Sequence, residues 1–464
     1  MINRERLIRI FPTIEFVAQC PHDGANLNML KPIIPGMRCL VECACPACGN
    51  GYYADLPVGQ ALWSPMIINR KSGEIYDPFR QLAERGAAVW FFEWFRQPLQ
   101  NSFLHPDSRK IVPTVQIFHR SERIVVLNCL DFLYGHSLLK LLNAQRYLDH
   151  TPELGCCVLV PTQLRHLVPD GVAEIWEVPL AINEGWGWYP SLQTWIAHKI
   201  TQYRECFLSP AYSHPSHHVY DLSRFVKNLP DVSERLIGRQ PVIMYCYRED
   251  RLWGRTPAQQ DRNIRALYRQ LTRIFPNLLF VLTGFGQRNI SLPPSAGVLD
   301  LRTPRFDLER DLLWLAYMTH ADCAVGIHGS NMLLPSGLAK STVELVPRSR
   351  LGNSVQDFLF PPSLQAPRDA LLYYRMLYGN ETLSNIHPSM VADLVANAIS
   401  YSPMNAQWFQ CGEQDAFEFA AWPAICEHPV FKQAATHLGS QPNLSWSGAM
   451  RAYLAEFFFR EKGE

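Results

Sequence analysis

The stretch HADCAVGIHGSNMLLPSGLAKSTVELVP, residues 320–347, decides the fold of this 464-residue chain. Its apolar run at 322–327 predicts a short buried strand. The small, turn-forming residues HGSN at 328–331 then precede a helix expected at 332–339, and residues 341–347 predict the next strand. A strand, a helix and a second strand in this order form a βαβ unit, which predicts a parallel sheet.

The start of the helix expected at 332–339 is a candidate anion site. The first amides of a helix lack partners inside it, and the helix dipole places partial positive charge at the same end. A diphosphate can be held there with few side-chain charges. The sequence therefore predicts a phosphate site beside Ser330 and Asn331.

The same stretch resembles the donor-side motif of glycosyltransferases with the GT-B fold, especially family 61. That family includes plant xylosyltransferases and protein O-linked N-acetylglucosamine transferases of secreted domains. Its motif joins an aspartate-containing strand, glycine, a His-Gly step, small residues and a glutamate-containing strand. The matching positions here are Asp322, Gly326, His328, Gly329, Ser330, Asn331, Pro335, Gly337 and Glu344. Ser336 stands where the family more often places proline directly before glycine.

This resemblance implies an α/β protein with two Rossmann-like domains of GT-B type. It implies an inverting transfer of a sugar from a nucleotide-diphosphate donor to a saccharide or protein acceptor, as in polysaccharide biosynthesis. No catalytic metal is implied, because GT-B enzymes commonly stabilise the departing diphosphate with basic side chains and a helix amino terminus. The implied donor contacts are His328, Gly329, Ser330, Asn331 and Glu344.

Composition indicates a folded protein and excludes some classes of partner. Hydrophobic residues make up 47% and charged residues 18%, values ordinary for globular proteins, and a net charge of +1 favours no broad nucleic-acid surface. No apolar run approaches the ~20 residues of a transmembrane helix. Charged residues interrupt the first 16 positions, so no signal peptide is expected and we predict a cytoplasmic location.

Five of the 13 cysteines lie between Cys20 and Cys48, and the sequence Cys45-Pro-Ala-Cys48-Gly49 is typical of a zinc knuckle. The first knuckle is less complete, because it offers Cys20 with His22 or Asp23. We expect a structural zinc ion whose ligands are Cys20, Cys43, Cys45 and Cys48, with Cys39 or His22 as substitutes. The alternative is a reduced thiol cluster in a compact loop.

Alternating strand and helix patterns from about residue 116 complete the expected organisation. Strands are expected at 124–128, 156–161, 174–179, 241–247, 278–284 and 298–301. Helices are expected at 137–148 with Ser137 as cap, and at 163–167, 259–275, 311–318 and 385–400. The predicted parts are a Cys-rich zinc-knuckle module (1–60), an acceptor domain (61–235), a donor domain (236–400) and an extension (401–464). Within 190–235, the trio His214, His217 and His218 is expected in a loop between domains.

Ligands of doubly wound sheets bind beyond the carboxyl ends of the strands, so the turn after Tyr247 is a second candidate for the donor site. It contains Arg248, Arg251 and Arg255, whose guanidinium groups can neutralise a diphosphate. The alternative is a salt-bridged surface turn in which Arg248 or Arg251 pairs with Glu249 or Asp250.

An inverting transfer also needs a base for the proton of the acceptor hydroxyl. His136 and Asp131 follow the strand expected at 124–128, and an imidazole pKa of about 6.5 suits a general base. His136 as a packing or capping residue is the alternative, and His328 is a second candidate base.

Two other classes of function remain open. Thr283-Gly284-Phe285-Gly286 follows a strand and could bind a nucleotide such as NAD, although the third glycine of a dinucleotide fingerprint is missing. In the transferase interpretation Gly284 is a donor contact. The other alternative is a noncatalytic nucleotide-binding or scaffold protein whose zinc module recruits a partner.

Overall fold

The computed structural model describes residues 7–59, 66–77, 89–211, 220–293, 297–353, 359 and 374–410, without the side chains of 89–95, 352–353 and 401–410. The chain divides into two compact units. The first unit comprises the described residues up to 211 together with 223–227, and the second comprises 220–222 and the described residues from 228 onward. The α/β class expected from the sequence is confirmed, because each unit contains a six-stranded sheet with helices between its strands.

The first unit contains eleven described strands and three described α-helices. The strands are β1 (Ile8–Phe11), β2 (Asn28–Ile33), β3 (Leu40–Ala44), β4 (Gly51–Asp55), β5 (Ile67–Asn69), β6 (Ile75–Tyr76), β7 (Thr114–Ile117), β8 (Arg123–Asn128), β9 (Gly155–Pro161), β10 (Glu174–Val178) and β11 (Glu205–Leu208). The helices are α1 (Val89–Leu104), α2 (Tyr134–His150) and α3 (Pro190–Ile200). Short 3-10 turns occupy Thr162–Leu167 and Ile182–Glu184, and a third, Leu222–Arg224, lies where the chain passes between the units.

The larger sheet of the first unit has the order β1-β11-β8-β9-β10-β7. Its four central strands are parallel, and β1 and β7 pair antiparallel at the two edges. All seven residues of β9 are buried, as the apolar run GCCVLVP requires of a strand covered on both faces. The strand order reverses between β8 and β11, which makes their carboxyl ends a topological switch point.

The smaller sheet of the first unit is an antiparallel meander in which each of β2 to β6 pairs with its neighbour in the chain. A cluster of buried side chains lies at one end of it, formed by Cys20, Leu27, Cys43, Cys45, Tyr52 and Ala54. The meander continues to Tyr76, whereas β1 belongs to the larger sheet. The expected boundary at residue 60 stays a prediction.

The second unit contains six described strands and five described α-helices. The strands are β12 (Val242–Tyr247), β13 (Leu279–Gly284), β14 (Val298–Asp300), β15 (Cys323–Ile327), β16 (Thr342–Val346) and β17 (Tyr374–Tyr378). The helices are α4 (Ser233–Leu236), α5 (Pro257–Ile274), α6 (Leu308–His320), α7 (Leu333–Leu338) and α8 (Pro388–Gln410), with 3-10 turns at Ser330–Met332 and Arg348–Asn353.

The sheet of the second unit is parallel throughout and has the order β14-β13-β12-β15-β16-β17. Numbered along the chain, this is 3-2-1-4-5-6, the order of doubly wound dinucleotide-binding sheets. Every residue of β12, β15 and β16 is buried, which explains their continuous apolar sequences. The switch point lies between β12 and β15.

Side-chain caps fix the starts of two long helices of this unit. The Thr256 hydroxyl accepts a hydrogen bond from the Gln259 amide at 3.2 Å before α5, and the Asp307 carboxylate accepts one from the Arg310 amide at 2.9 Å before α6. Pro257 begins α5, where a missing amide proton costs nothing. Within the described residues, no helix combines the length and apolarity needed to cross a membrane.

The structure corrects several expected elements. Helix α2 begins at Tyr134 without a side-chain cap, so Ser137 is buried in its first turn and is not the cap. The helix expected at 332–339 is a 3-10 turn followed by the six residues of α7. Strand β11 lies in the stretch 190–235, for which no strand was predicted. The trio His214, His217 and His218 and residues 411–464 lie outside the described residues.

Candidate functional site

The carboxyl ends of β12 and β15 meet at the switch point of the second unit, where ligands of doubly wound sheets bind. Arg248 follows the last residue of β12, and His328 follows the last residue of β15. Two of the sequence-predicted groups are therefore adjacent in this sheet.

Two guanidinium groups converge on the backbone of Gly329. A side-chain carbon at this position would lie 2.3 Å from Arg251 Nη1 and 2.9 Å from Arg248 Nη1, closer than atoms can approach. Arg251 Nη1 also donates a hydrogen bond to the His328 carbonyl at 2.5 Å. With φ at +149°, position 329 requires glycine for its conformation and for this contact.

Arg248 is held by Asp250 and Asn331. Its Nε donates to Asp250 Oδ1 at 2.8 Å, a second bond joins Arg248 Nη2 to Asp250 Oδ2, and Nη1 donates to Asn331 Oδ1 at 2.9 Å. The alternative expected from the sequence, a turn in which Arg248 pairs with Asp250, is therefore present. The Asp250 side chain is 65% exposed and that of Arg248 is 18% exposed, so the carboxylate is the accessible partner of this ion pair.

Asn331 is oriented by the same arginine. Because its oxygen accepts from Arg248, its amide Nδ2 must point elsewhere, and this buried atom has no hydrogen-bond partner among the described atoms. An unpaired buried amide is costly, so Nδ2 is a candidate donor to a ligand oxygen. Ser330 lies half-buried in the same 3-10 turn.

The atoms nearest to a side-chain carbon at position 329 belong to Arg251 and Arg248 and not to Arg255. The Arg255 side chain is exposed, and its amide donates to Gln259 Oε1 at 2.9 Å. The turn after β12 thus brings two of its three predicted arginines to the switch point, and Arg255 as a donor contact stays a prediction.

His328 and Glu344 form a buried pair behind the glycine. The distance from His328 Nδ1 to Glu344 Oε2 is 2.5 Å, and both side chains are at most 1% exposed. Neighbouring strands create this pair, because Glu344 lies opposite Gly326 in the β15–β16 register. Glu344 was expected to face donor hydroxyls, but the structure places its carboxylate in the core, where it orients His328.

Two backbone amides of the loop after β13 already donate hydrogen bonds to a carboxylate of the protein. Glu249 Oε1 accepts the amides of Gln287 and Arg288 at 2.8 and 3.1 Å, where a dinucleotide phosphate would bind. Gly284, with φ at +104°, packs so closely that a side-chain carbon would lie 2.2 Å from the Tyr247 carbonyl oxygen. No helix begins within the described residues 285–293, which disfavours the dinucleotide interpretation.

The switch point of the first unit contains a buried ion pair. Asp131 Oδ2 lies 2.7 Å from Lys140 Nζ, and each side chain is 1% exposed. Lys140 also donates to the Leu130 carbonyl at 2.9 Å, while the other carboxylate oxygen of Asp131 accepts the amides of Phe132 and Leu133. Burial raises the pKa of Asp131, but Lys140 and His136 outweigh it and hold that pKa well below its usual range.

His136 lies on the solvent side of this pair. Its Nδ1 is 3.4 Å from Asp131 Oδ1, and its side chain is 20% exposed. An ionised carboxylate at this position favours the tautomer whose Nδ1 carries the proton, so Nε2 is the ring nitrogen that can accept one. The structure therefore brings His136 and Asp131 together, as the sequence predicted.

Two features near His136 were not predicted. Lys140 stands within the buried helical run Leu138, Leu139, Leu141 and Leu142, and a lysine in such a run is a sequence signal for a buried ionic partner. Phe132 stacks on Trp186 with ring centroids 4.2 Å apart and meets the His136 ring edge-on at 6.3 Å. Both aromatic side chains are half-buried, so one half-exposed aromatic surface lies beside the imidazole.

The cysteine cluster differs from the predicted one at one position. Potential ligand atoms of Cys20, Asp23, Cys45 and Cys48 all lie within 4.8 Å of one another. Cys43 is instead fixed inside β3, where its thiol donates to the Tyr52 carbonyl at 3.5 Å.

The sequence matches no model of a known protein family and no curated protein. The chain is similar in structure to glycosyltransferases with the GT-B fold. For the structure of E. coli ADP-heptose LPS heptosyltransferase II, the identity is 14%, the TM-score 0.36, and the match covers 60% of this chain and 99% of that one. For E. coli heptosyltransferase WaaC with ADP, the identity is 12% and the TM-score 0.38, and the match covers 59% of this chain and 100% of that one.

A glycosyl transferase family 9 structure from Veillonella parvula is similar to the same degree. Its identity is 11% and its TM-score 0.34, with 63% of this chain and 98% of that chain covered. Similarities of this size assign no family or substrate to the chain. None of these three structures is described as family 61, and membership of that family stays a prediction.

Proposed function

We propose that this protein is a glycosyltransferase that moves a sugar from a nucleoside-diphosphate donor to a saccharide or protein acceptor. The observation that carries the proposal is the convergence of Arg248 and Arg251 on Gly329 at the switch point of a 3-2-1-4-5-6 sheet. Such a position favours a nucleotide, and paired guanidinium groups favour its phosphates.

In the proposed donor site, each group has a separate task. Arg251 offers charge beside the Gly329 backbone, and Arg248 exchanges its exposed partner Asp250 for a phosphate oxygen. Asn331 Nδ2 donates a further hydrogen bond. When the bond between the sugar and the diphosphate breaks, the diphosphate keeps the electron pair, and these groups stabilise the charge that develops there.

In the proposed acceptor site, His136 is the base. Its Nε2 takes the proton of the acceptor hydroxyl as the oxygen attacks the sugar carbon, and Asp131 stabilises the imidazolium that forms. Attack from the face opposite the leaving group inverts the anomeric configuration. The stacked rings of Phe132 and Trp186 offer an apolar face to an acceptor sugar.

Thermal unfolding with UDP, GDP, ADP, CMP or NAD tests donor binding. We expect one nucleoside diphosphate to raise the midpoint, since a ligand at 100 times its Kd stabilises the folded state by about 2.7 kcal/mol. The shift should disappear in Arg251→Ala and Arg248→Ala. Arg273→Ala is the matched control, because this exposed arginine lies in the last turn of α5, which returns the chain from the carboxyl end of β12 to the amino end of β13.

Turnover separates an enzyme from a nucleotide-binding scaffold. His136→Gln should lower kcat by roughly 10²- to 10⁴-fold while leaving the nucleotide-induced midpoint shift intact. Phe132→Ala should mainly raise KM for the acceptor. A shift with NAD alone would favour the dinucleotide interpretation, and no shift with any nucleotide would refute the donor site.

A further inference from the structure

The sequence around Cys20 is repeated around Cys45. Both segments read Cys-Pro-x-x-Gly, as Cys-Pro-His-Asp-Gly at 20–24 and Cys-Pro-Ala-Cys-Gly at 45–49. The repeat places Asp23 in one segment at the position that Cys48 takes in the other. Asp23 therefore corresponds to a metal ligand of a zinc knuckle.

The two segments also share one backbone conformation. Gly24 and Gly49 have φ of +73° and +75°. The amide of each donates a hydrogen bond to the backbone carbonyl of the cysteine four residues earlier, at 2.9 and 3.0 Å. The amide of each cysteine in turn bonds to the carbonyl five residues later, at 2.8 Å for Cys20 and 2.9 Å for Cys45. The two segments are therefore a pair of equivalent turns that face one cluster of ligand atoms.

Two distances inside the cluster are close to those of a tetrahedral site. Zn–S bonds of ~2.3 Å place two sulfurs roughly 3.8 Å apart in a tetrahedron, and a Zn–O bond of ~2.0 Å places sulfur and oxygen roughly 3.5 Å apart. The Cys20 and Cys48 sulfurs are 3.7 Å apart, and Cys45 Sγ lies 3.3 Å from Asp23 Oδ2. The turns thus hold two ligand pairs near coordination spacing and all four groups within 4.8 Å of one another.

Hydrogen bonds already point at the sulfurs, as a thiolate requires. The Cys48 amide donates to Cys45 Sγ at 3.4 Å, and Asn50 Nδ2 donates to Cys48 Sγ at 3.3 Å. The Ala25 amide donates to Asp23 Oδ1 at 2.9 Å, and both oxygens of this carboxylate lie near Cys45 Sγ, Oδ2 at 3.3 Å and Oδ1 at 3.5 Å. Such contacts orient the ligands and support their charge.

The other candidate ligands have different partners. Cys43 donates to a carbonyl inside the sheet, and Cys39 Sγ accepts from Asn128 Nδ2 at 3.3 Å. The His22 ring bonds through Nε2 to the Tyr76 hydroxyl at 3.1 Å. None of these three belongs to the group of converging ligand atoms.

We propose that the paired turns bind one Zn²⁺ through the sulfurs of Cys20, Cys45 and Cys48 and one carboxylate oxygen of Asp23. Binding forms three Zn–S bonds and one Zn–O bond and releases the three thiol protons. Four protein ligands close the tetrahedron, so the ion is structural. It joins the segment before β2 to the turn between β3 and β4 and thereby stabilises the meander around its small core of Leu27, Tyr52 and Ala54.

Metal analysis of the purified full chain tests the ligand set. We expect one equivalent of zinc in the wild type and in the controls Cys43→Ser and His22→Ala, and little in Cys45→Ser. Asp23→Ala should lose zinc readily to a competing chelator, whereas Asp23→Cys should hold it more tightly than the wild type because it completes a four-thiolate site. Circular dichroism of the Asp23 variants checks that this exposed position leaves the fold intact.

Cobalt substitution gives an independent count of the thiolates, because each adds to the sulfur-to-metal charge-transfer absorption. Three are expected in the wild type and four in Asp23→Cys. A wild type that binds no zinc after zinc supplementation would overturn the proposal. So would zinc that survives Asp23→Ala but is lost in Cys43→Ser, since that result would restore the all-cysteine set.

Discussion

Replacing Lys140 by methionine isolates the effect of burial on one ion pair. Lys140 and Asp131 lie 2.7 Å apart and are 1% exposed, while Lys340 and Asp322 lie at the same 2.7 Å but are 65% and 20% exposed. Removing one partner of a buried pair leaves an uncompensated charge and costs about 3–5 kcal/mol. Removing one partner of an exposed pair costs about 0–1 kcal/mol.

Hydrogen–deuterium exchange of the amides in β8 and β9 measures this cost within the first unit alone. A loss of about 3–5 kcal/mol corresponds to roughly 100- to 4,000-fold faster exchange in Lys140→Met. Lys340→Met should change exchange in β15 and β16 by less than about tenfold. Combining Lys140→Met with Asp131→Asn should recover much of the loss, because neither charge is then buried.

The dependence on pH has a definite sign. Because the folded-state pKa of Asp131 is lowered, its stabilising contribution is complete above the unfolded value of about 3.9 and is lost as the pH falls toward the lower folded value. The difference between the wild type and Lys140→Met should therefore shrink below about pH 4. Equal effects of Lys140→Met and Lys340→Met at neutral pH would refute the reasoning.

Three further predictions concern other buried or constrained positions. Burial raises the pKa of Asp55 to about 6, although the positive charge of Arg38 opposes this shift. Ionisation of Asp55 should therefore lower the free energy of unfolding by ~3 kcal/mol as the pH rises from 4 to above 6. In urea unfolding, Asp55→Asn should lack this pH-dependent loss, and parallel pH profiles of the variant and the wild type would contradict the prediction. Glu344→Gln should cost about 1.5–3 kcal/mol in urea unfolding, because a buried charge-assisted hydrogen bond is lost, and an unchanged midpoint would oppose this. Gly329→Ala and its control Gly238→Ala both place a side chain at positive φ, but only the side chain at position 329 meets arginine atoms. Titration with the nucleoside diphosphate that binds should therefore show an affinity lowered roughly tenfold or more in Gly329→Ala alone.

Much of the second unit could be predicted because its strands are continuously buried. The sequence VIMYCY of β12 and the apolar residues of β15 contain little besides core side chains, so pattern alone identifies them. Their carboxyl ends then bring Arg248 and His328 together by topology. The contact of both arginines with Gly329 depends on side-chain paths through the turn, which pattern does not contain.

Three of the missed strands, β1, β11 and β17, are short and only partly buried. Strand β11 reads ECFL with two half-buried residues, and β1 reads IRIF with the same alternation, so neither has an apolar run long enough to identify it. Strand β17 has no buried residue. These segments become strands because a neighbouring strand offers hydrogen-bond partners, which is tertiary information.

The cluster of Cys20, Asp23, Cys45 and Cys48 shows a different limit of sequence reasoning. Cys43 is close in sequence to Cys45, and counting thiols favours it, but β3 holds its side chain against Tyr52. The repeated Cys-Pro-x-x-Gly pattern was the available signal for Asp23, since equivalent turns present equivalent positions. Repeat comparison, rather than cysteine spacing, favours Asp23 as the fourth ligand of the proposed zinc site.

The place of β1 in the larger sheet has a consequence for biosynthesis. Ile8–Phe11 pairs with Glu205–Leu208, so a ribosome must make the whole intervening chain before this edge strand finds its partner. At the usual rate of synthesis that interval is roughly 10–40 s. The meander lies inside the same interval and can fold while β1 waits, which would make closure of the sheet edge a late step in the maturation of the first unit.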